Sequence, residues 1–580
     1  MTVDLNKNPF YLDKDDIKWV KDTLESLSTE EKLGQLLCPG VRSLGRKAVR
    51  DFTEVYKVGA IMTRPMPGEK LAKAVASLQE HSRIPMLIAG NLEAGGNGVV
   101  SEGTLFSMPM GATATGDMEN GYRLGKISCQ EAAAAGVNWA FAPIIDIDNS
   151  YRNPITNVRA FSSDKDQVIT MASGYLKAAK EENVAVSIKH FPGDGCDERD
   201  HHLHVTVNDR SYEEWMDTYG EIYKSLIKQG AQTVMSGHIA QPAIVRKLKP
   251  GATLEEAVYP ASQSGYLING FLRDVLGFNG VVITDSSLMV GYMQKLPRRK
   301  ALPLSIMSGV DMILFNRNVS EDLRFLKTAL ENGELTYERL DEAVLRILAL
   351  KAHLKLHKST RPGRTLQEVL HNPQTMEWVK ECADKCVTLV KDKKKFLPLS
   401  PAKTKRVYLN VIESSVYKNS PFAAGIKKRL EKEGFEVTLR NRDLNIDFNH
   451  MKKGLPSFKL LKVLKEIMAD TDSFVSRYDM CMLVVNMETV SNATTVRINW
   501  NVMNGLGNDI PWYAGEMPCV VVSTANPYHL LDIPMADVYI NTYTGTEAVL
   551  DAMFEKIMGR SEFKGVSPVD PFCGHEDTYV

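Results

Sequence analysis

The chain has 580 residues, of which 44% are hydrophobic and 24% are charged, and its formal net charge is −1. This composition is ordinary for a soluble globular protein, and the length exceeds what one hydrophobic core supports, so we expect roughly two to four domains. The near-neutral charge gives no electrostatic reason to expect nucleic acid or an anionic membrane surface as a partner.

The N-terminal segment MTVDLNKNPFYLDKDDIKWV has no apolar core and no small-residue cleavage site, and no window reaches the ~18 uninterrupted apolar residues of a membrane span. The eight cysteines are scattered along the chain and form no CxxC pair, which argues against a disulfide scaffold. These features predict a reduced, cytoplasmic protein.

Short apolar runs in the first 350 residues are predicted to be β-strands. Each run is apolar throughout and is bounded by glycine or polar residues, which is typical of strands covered on both faces. The runs are GAIMT (59–63), MLIAG (86–90), NWAFAP (138–143), VAVSI (184–188), TVMSG (233–237), VVIT (281–284) and DMILF (311–315).

Helical patterns separate these runs. Ser28 and Glu31 form a capping-box pattern, a helix before Gly136 is predicted to end there, and residues 335–356 form an amphipathic pattern. Repeated strand–helix units of this extent predict a (β/α)8 barrel of the TIM type over residues 1–356. An eighth strand has no clear pattern, and a doubly wound open sheet is the alternative.

A second domain is predicted after a basic, Pro- and Gly-containing linker at 357–372. The α/β pattern restarts at 373 and continues to 580, which predicts a smaller parallel-sheet sandwich. Its predicted strands are RVYLNVI (406–412), MCMLVVN (480–486), CVVVST (519–524) and DVYINTY (537–543).

Polar residues follow five of the predicted barrel strands. In a (β/α)8 barrel the active site forms at the carboxyl ends of the strands, so residues that end separate strands are expected to converge. We therefore predict a polar pocket there. The residues are Asn91 and Glu93, Asp146 and Asp148, Lys189 and His190, His238, and Asp285.

Asp285 directly follows a buried apolar run, where a carboxylate needs partners to stay ionised. It is a candidate for a functional carboxylate. The alternative is that it caps a helix beginning in SSLMVGYM.

The stretch KHFPGDGCDERDHHLH (189–204) follows the fourth run and is dense in titratable groups. Asp200 and His202 are two residues apart, so in an extended segment both side chains would lie on one face. Asp200 could then orient His202, and a histidine is a suitable general acid near neutral pH.

A zinc site is the competing interpretation of the same stretch. It contains several residues that bind zinc, but the adjacent His201 and His202 are expected to point apart in an extended loop, and no HxxxH pair is present. We therefore predict no metal. The zinc-capable residues are His190, Cys196, His201, His202 and His204.

At these residues the chain resembles the family 3 glycoside hydrolases, and specifically their β-N-acetylglucosaminidase branch. The family loop K-H-F-P-G-H-G, four residues and then D-[ST]-H is matched without a gap by KHFPGDGCDERDHH. FAPIID, RAF, GFNGVVITDSSLM and LDEAVLRILALK are similar to other segments of the family's barrel, and CADKCVTLVKDKKKFLPLS to its C-terminal domain. The resemblance implies a TIM-type barrel followed by an αβα sandwich.

The resemblance also implies catalytic roles for three residues. Asp285 matches the nucleophile, His202 the general acid/base, and Asp200 its dyad partner. The implied reaction is retaining hydrolysis through a glycosyl-enzyme, with no cofactor.

A substrate site is implied by further matches. Lys189, His190 and Arg159 match residues that hold the sugar, and Asp146 is a weaker candidate. The strand-end residues Asn91 and His238 complete the set that we predict to bind a small oligosaccharide or glycoside.

Three positions depart from the family pattern. Asp194 replaces a histidine, His201 replaces a small hydroxyl residue, and Asn91 stands where the family's D-x-E-G-G-R has its aspartate. The last motif also lacks its arginine. Charge-assisted hydrogen bonds are roughly twice as strong as neutral ones, so these changes bear on which sugar binds.

Three functions follow from these features. The first is an exo-acting β-N-acetylhexosaminidase that trims chitooligosaccharides or peptidoglycan fragments. The second is a β-N-acetylglucosaminide phosphorylase or another β-glycosidase on the same scaffold, and a histidine acid/base suits an incoming phosphate because it repels an anion less than a carboxylate does. The third is a catalytically inactive sugar-binding protein. The sequence leaves the oligomeric state open.

Overall fold

The structure is a computed structural model that describes residues 3–41, 44–358, 363–413, 419–440, 442, 461, 470–487, 491–498, 500 and 510–580. It has two compact units. The barrel unit comprises Met1–Thr113, Asp117–Val379 and Ser491–Thr494, and the sandwich unit comprises Ala114–Gly116, Lys380–Val490 and Thr495–Val580. The predicted linker at 357–372 includes residues 359–362, which lie outside the described residues.

The barrel unit is built on parallel strands. A sheet with the order β10-β8-β6-β5-β4-β3-β2 is its main part, and β1-β11 and β7-β9 are separate parallel pairs. The strands are β1 Leu37–Cys38, β2 Gly40–Val41, β3 Ala60–Thr63, β4 Leu87–Gly90, β5 Trp139–Ala140, β6 Ala185–Phe191, β7 Thr206–Val207, β8 Thr233–Ser236, β9 Ile239–Ala240, β10 Val281–Thr284 and β11 Ile313–Leu314.

The ring of strands is closed by residues 37–41, the strand that sequence patterning did not locate. In this segment β1 pairs with β11 and β2 pairs with β3, while a bridge between Ile283 and Met312 links β10 to β11. Pro39 interrupts the strand and has no amide hydrogen to donate, so each half is only two residues long. The predicted TIM-type barrel is confirmed.

Helices separate most of the strands of the barrel unit, as predicted. The capping box of Ser28 and Glu31 is present, and Gly136 has a φ of +87° just after α6. The helices are α1 Lys14–Ser26, α2 Thr29–Gln35, α3 Arg46–Arg50, α4 Gly68–His81, α5 Pro109–Ala114, α6 Asn120–Ala134, α7 Lys165–Glu181, α8 Tyr212–Trp215, α9 Glu221–Lys228, α10 Pro242–Leu248, α11 Leu254–Ala257, α12 Val290–Met293, α13 Arg298–Met307, α14 Val319–Glu331, α15 Tyr337–His353 and α16 Leu366–Val369, with π-helical segments at Asp51–Val55, Met216–Gly220 and Tyr266–Arg273. The next helix, α17 Pro373–Cys386, has its first residues in the barrel unit and its last residues in the sandwich unit.

The sandwich unit is built on one six-stranded sheet among the described residues, with the order β12-β17-β16-β15-β13-β14. All its pairings are parallel except β12 with β17. The strands are β12 Thr388–Asp392, β13 Arg406–Glu413, β14 Glu436–Leu439, β15 Met480–Asn486, β16 Cys519–Ser523 and β17 Val538–Asn541, and the helices are α18 Pro421–Lys432, α19 Thr471–Val475, α20 Glu547–Ile557 and α21 Glu576–Tyr579.

The core of this second sheet is fully buried, with alternate residues of β15 and β16 in one hydrophobic cluster with Tyr513 and Tyr539. Within the described part of the chain, no helix is long and apolar enough to cross a membrane. The strand positions agree with the predicted runs at 406–412, 480–486, 519–524 and 537–543 to within a few residues.

Candidate active site

A cavity of about 440 Å³ opens at the carboxyl ends of the barrel strands. Six residues predicted from strand ends or from the family resemblance line it together with His202, so the expected convergence is observed. Its polar wall consists of Arg64, Asn91, Glu93, Arg159, Lys189, His190, His202, Asp285, Ser286, Ser491 and Asn492, and its apolar wall of Met62, Met235, Leu288, Met289, Leu314 and Phe315.

Glu93 holds two cations in this wall. Its carboxylate accepts from Nε and Nη2 of Arg159, both at 3.0 Å, and from Nζ of Lys189 at 2.7 Å. Burial alone would raise the pKa of Glu93, but the charges of Arg159 and Lys189 and their hydrogen bonds lower it below its ordinary range. The three side chains therefore form a fixed, charged and hydrogen-bonded surface that suits sugar hydroxyl groups.

Asp146 lies behind the cavity wall and fixes His190. Its Oδ1 accepts from the backbone amides of His190 at 3.0 Å and Asp194 at 2.8 Å, and its Oδ2 lies 2.7 Å from Nδ1 of His190. Burial lowers the pKa of His190 despite the charge of Asp146. His190 is therefore neutral near pH 7, with Nδ1 donating to Asp146 and Nε2 turned toward Asp285 at 3.8 Å.

Asp285 follows β10 and is nearly buried, with 9% of its surface exposed. Its amide donates to the carbonyl of Ser236 at 2.8 Å, and its Oδ1 accepts from the amide of Ser286 at 2.6 Å. Burial would raise the pKa of Asp285, but the contact with His201 and the surrounding imidazoles hold it well below its ordinary range. Asp285 is thus an ionised carboxylate at the cavity wall.

The alternative role of Asp285 as a helix cap is not observed. The next helix, α12, begins only at Val290. The side chain is free to face the cavity.

The loop after β6 reaches the cavity through two glycines in left-handed conformations, Gly193 (φ +115°) and Gly195 (φ +105°). A Cβ on Gly195 would lie 1.9 Å from the carbonyl oxygen of Ile147, and a Cβ on Gly193 would lie 2.3 Å from the ring of Tyr219. Any side chain at either position would push the loop away from the barrel.

Asp200 and His202 form the predicted pair. Oδ1 of Asp200 accepts from the backbone amide of His202 and lies 2.7 Å from its Nδ1. Oδ2 of Asp200 accepts from the backbone amide of Asn492 at 2.6 Å. Both oxygens of Asp200 are therefore occupied, and His202 presents Nε2, while its side chain is 20% exposed.

The backbone that produces this pair is not the predicted one. Residues 200–204 form a turn, in which the amides of Leu203 and His204 donate to the carbonyl of Asp200. The expectation of an extended segment, with His201 and His202 pointing apart, is wrong because Asp200 closes an Asx-type turn onto His202. The rings of His201 and His202 instead stack, with centroids 5.0 Å apart.

Several candidate residues do not reach the cavity wall. His238 is completely buried, with Nδ1 3.0 Å from Oγ of Ser262 and Nε2 3.0 Å from the carbonyl of Ser286. Burial lowers its pKa to about 4. Asp146 lies behind His190, and His204 is exposed on the loop. Asp146 and His238 therefore support wall residues and do not line the cavity.

Sequence patterning missed part of the wall. Arg64 directly follows β3, and its guanidinium lies over the ring of Phe315 at 5.4 Å. The same strand-end argument that selected Asn91 would have found Arg64. Ser491 and Asn492 carry no such signal, because they come from a segment far along the chain.

Of the zinc-capable residues, the structure brings His190 and His201 near Asp285. Ligand atoms of these three lie within 4.8 Å of one another among the described residues. His201 also lies 2.7 Å from Asp194, so two carboxylates already surround its imidazole. Cys196 contacts the hydroxyl of Tyr219 instead.

The barrel thus presents a buried, ionised carboxylate and an aspartate–histidine pair at one cavity. This combination suits an enzyme that works at the carboxyl ends of the strands of a TIM-type barrel, because a carboxylate can act as a nucleophile and a histidine as an acid or base.

Comparison with known proteins identifies the family. Residues 28–350 match the model of the glycosyl hydrolase family 3 N terminal domain. The chain is 38% identical to a beta-N-acetylglucosaminidase/beta-glucosidase of Cellulomonas fimi over 100% of both chains. It is 29% identical to beta-hexosaminidase A of Pseudoalteromonas piscicida over 55% of each chain. The protein belongs to glycoside hydrolase family 3.

Solved structures agree with this assignment. A structure described as beta-glucoside phosphorylase BglX is 42% identical and covers 99% of each chain with a TM-score of 0.89. A family 3 beta-N-acetylglucosaminidase from Paenibacillus is 22% identical, with a TM-score of 0.76 over 94% of this chain and 99% of that chain, and shows the same fold. The protein is an enzyme of the glycoside hydrolase class.

Proposed function

We propose that the protein is a retaining, exo-acting β-N-acetylhexosaminidase that cleaves terminal β-linked N-acetylglucosamine from chitooligosaccharides or peptidoglycan fragments. The observation that carries the proposal is the ionised Asp285 at the wall of a cavity that His202 also lines. A relative 38% identical over the full length has a name that includes beta-N-acetylglucosaminidase.

The first step uses both residues. An oxygen of Asp285 attacks the anomeric carbon, the bond from that carbon to the leaving oxygen breaks, and His202 gives its Nε2 proton to that oxygen. Asp200 accepts the Nδ1 hydrogen bond and stabilises the protonated imidazole before transfer. The product is a glycosyl ester of Asp285 and a neutral leaving group.

In the second step His202 acts as a base and Asp285 is the leaving group. His202 takes a proton from water, the water oxygen attacks the anomeric carbon, and the ester bond to Asp285 breaks. The sugar leaves with its original configuration because the carbon is inverted twice. Lys189 and Arg159, held by Glu93, orient the sugar hydroxyls through both steps.

Phosphorolysis is a second candidate for the same site. A relative 42% identical over 99% of each chain is described as a beta-glucoside phosphorylase. An imidazole acid/base carries no negative charge to repel phosphate, and Arg64 adds a cation to the cavity wall. In this reaction a phosphate oxygen attacks the glycosyl ester, and the product is a sugar 1-phosphate.

Trapping of the intermediate tests the shared mechanism. The enzyme is incubated with 2-fluoro glycosides, digested and analysed by mass spectrometry, and we expect one added glycosyl group on the peptide that contains Asp285. An unmodified Asp285 peptide after complete inactivation by the reagent, or no inactivation, would overturn the nucleophile assignment.

Substrate and acceptor are separated in a second experiment. Aryl β-glycosides that differ only at the second carbon, acetamido against hydroxyl, are compared with and without phosphate. We expect faster turnover of the acetamido substrate. Accumulation of sugar 1-phosphate when phosphate is present would favour the phosphorylase, and free sugar under both conditions would favour the hydrolase.

A further inference from the structure

We propose that Asp194 and His201 form a second aspartate–histidine pair that positions the nucleophile Asp285 and stabilises its carboxylate form, mainly in the step that breaks the glycosyl-enzyme. The inference rests on the proposed function. It gives a role to the two loop residues at which the chain departs from the family pattern.

The pair is defined by short contacts in a closed environment. Nδ1 of His201 lies 2.7 Å from Oδ2 of Asp194, and Nε2 lies 3.3 Å from Oδ2 of Asp285. The His201 side chain is 0% exposed. Neither contact has the geometry of a linear hydrogen bond, so we treat both as ion pairs in which charge is the main attraction.

Asp194 is itself held rigidly. Its Oδ1 accepts from Nδ2 of Asn153 at 2.8 Å and from the amide of Gly195 at 2.7 Å, and its own amide donates to Asp146. Only Oδ2 remains to face His201. Asp194 is therefore anchored to the barrel at the start of the loop.

The charge state of His201 follows from its two partners. A neutral imidazole has no net charge to attract either carboxylate, whereas a protonated imidazole attracts both. Burial opposes the charge, but Asp194 and Asp285 outweigh it and raise the pKa of His201 to about 10. Burial likewise opposes ionisation of Asp194, but the charge of His201 lowers the pKa of Asp194 to about 2.

The other titratable groups around His201 do not replace this charge. The ring of His190 lies 5.2 Å away edge-on, the ring of His202 stacks at 5.0 Å, and the ring of His238 lies 6.4 Å away. Burial lowers the pKa of both His190 and His238, so neither is a cation near pH 7. His201 is thus the imidazolium beside Asp285.

This cation affects the two steps differently. A positive charge beside Asp285 favours the free carboxylate over its uncharged glycosyl ester. It makes Asp285 a weaker nucleophile and a better leaving group, so it accelerates the breakdown of the glycosyl-enzyme. During the lifetime of the ester, Asp194 remains as the counterion of His201.

The family comparison shows why the two residues belong together. The resembled motif has a histidine where Asp194 stands and a small hydroxyl residue where His201 stands. These two departures contact each other in the structure. The imidazole of His201 and the carboxylate of Asp194 lie together beside Asp285.

The test uses variants that keep the buried charge balanced. His201→Ser alone leaves Asp194 as a buried carboxylate without its cation, which destabilises the fold, so the main variant is the double substitution Asp194→Asn with His201→Ser. His204→Ser, an exposed histidine on the same loop, is the matched control. Thermal unfolding and binding of the free sugar establish that each variant is folded and competent.

Two kinetic readouts are measured on the full chain. Loss of the cation raises the pKa of Asp285 toward its ordinary value, so the acidic limb of the kcat/KM profile should move up by about one pH unit or more. The glycosyl-enzyme should accumulate with an activated aryl glycoside, seen as a burst of aryl alcohol, while kcat falls by ~10–100-fold. His204→Ser should leave both unchanged.

An unchanged acidic limb and a kcat within about twofold of wild type in a folded double variant would overturn the inference. The proposed function fails separately, if the wild-type enzyme forms no adduct on Asp285. A fall in kcat with no shift of the pH profile and no burst would reduce the pair to a purely structural role and would also overturn the inference.

Discussion

Asp146 contacts His190 at two points. Oδ1 of Asp146 lies 3.0 Å from the backbone nitrogen of His190, and Oδ2 lies 2.7 Å from Nδ1 of the His190 ring. This double contact fixes both the ring orientation and the hydrogen on Nδ1, so Nε2 is the atom presented toward Asp285. A residue outside the cavity thus determines which ring nitrogen of His190 faces Asp285.

Asp146→Asn should therefore impair catalysis although Asp146 does not line the cavity. The amide nitrogen of asparagine cannot accept from Nδ1, which favours the other tautomer or a rotated ring. We expect kcat/KM for an aryl glycoside to fall by ~10²-fold, since small misplacements near reacting groups have effects of this size. Wild-type kinetics in a folded variant would contradict the role of Asp146.

His202→Ala should lower the rate according to the leaving group. With natural glycosides or unactivated alcohols, we expect a loss of ~10²–10⁴-fold, because these need a proton in the first step. With a dinitrophenyl leaving group, which needs none, bond cleavage should change little. The initial release of the leaving group is measured by stopped flow, with His204→Ala as the control. Equal losses on both substrates would exclude an acid role.

Substitutions at Asn492 test whether the hydrogen bond to Oδ2 of Asp200 positions this carboxylate. Its amide donates to Oδ2 at 2.6 Å, from a backbone with φ +68°. Valine is strained at positive φ, whereas glycine is not. Asn492→Val should therefore displace the amide and reduce kcat on unactivated glycosides by ~10-fold, by analogy with other positioning contacts. Asn492→Gly keeps the amide and should stay close to wild type, and equal effects of the two variants would contradict the positioning role.

Glu93→Gln should destabilise the barrel unit, because it leaves Arg159 and Lys189 without their shared counterion. Removing one partner of a buried ion pair costs ~3–5 kcal/mol. The folded-state pKa of Glu93 lies below its ordinary value of ~4.3, so its contribution is present above that pH and is lost as the pH falls below it.

The thermal midpoint of Glu93→Gln should therefore lie well below that of wild type at neutral pH, and the gap should narrow between about pH 5 and pH 3. Glu30→Gln, which removes an exposed pair with Lys327, is the control and should have little effect. If the difference in thermal midpoint between wild type and Glu93→Gln does not depend on pH, the shape of the Glu93 side chain, and not its charge, explains the lost stability.

Lys351 is a buried amine that donates to Oε1 of Gln35 at 2.6 Å, and burial lowers its pKa to about 7. The unfolded chain keeps this proton up to about pH 10.4, so wild-type stability should rise between about pH 7 and pH 10. Lys351→Met should remove that rise and should raise the thermal midpoint most below pH 7, where the buried amine of wild type carries its proton. The exposed Lys224→Met is the control, and a pH slope that persists in Lys351→Met would refute the assignment.

The sequence predicts those elements whose signal is local. β15 coincides with the run predicted at 480–486. The polar residues at the carboxyl ends of β4, β6 and β10 are predicted because each lies in or directly after the end of a recognisable apolar run. The strand at 37–41 was missed because Pro39 divides it into halves too short for a periodic pattern.

Contacts that depend on loop conformation could not be predicted from the sequence. Asp200 and His202 were paired correctly but through an extended backbone, whereas an Asx-type turn forms the contact. The pairing of Asp194 with His201 spans seven positions of irregular chain and depends on Gly195 lying against Ile147. No periodic pattern encodes such a contact.

The loop that carries His201 and His202 has a consequence for attempts to re-engineer the enzyme. In the proposed mechanism, His201 acts on the nucleophile and the adjacent His202 is the proton donor. The loop also contacts Asn153, which donates to Asp194 and to the carbonyl of Asp197. A library that randomises 200–202 to change leaving-group preference will also alter the turnover of the covalent intermediate. To change the leaving-group preference, residues 194–204 and Asn153 should therefore be exchanged together, because neither histidine can be altered without affecting the other.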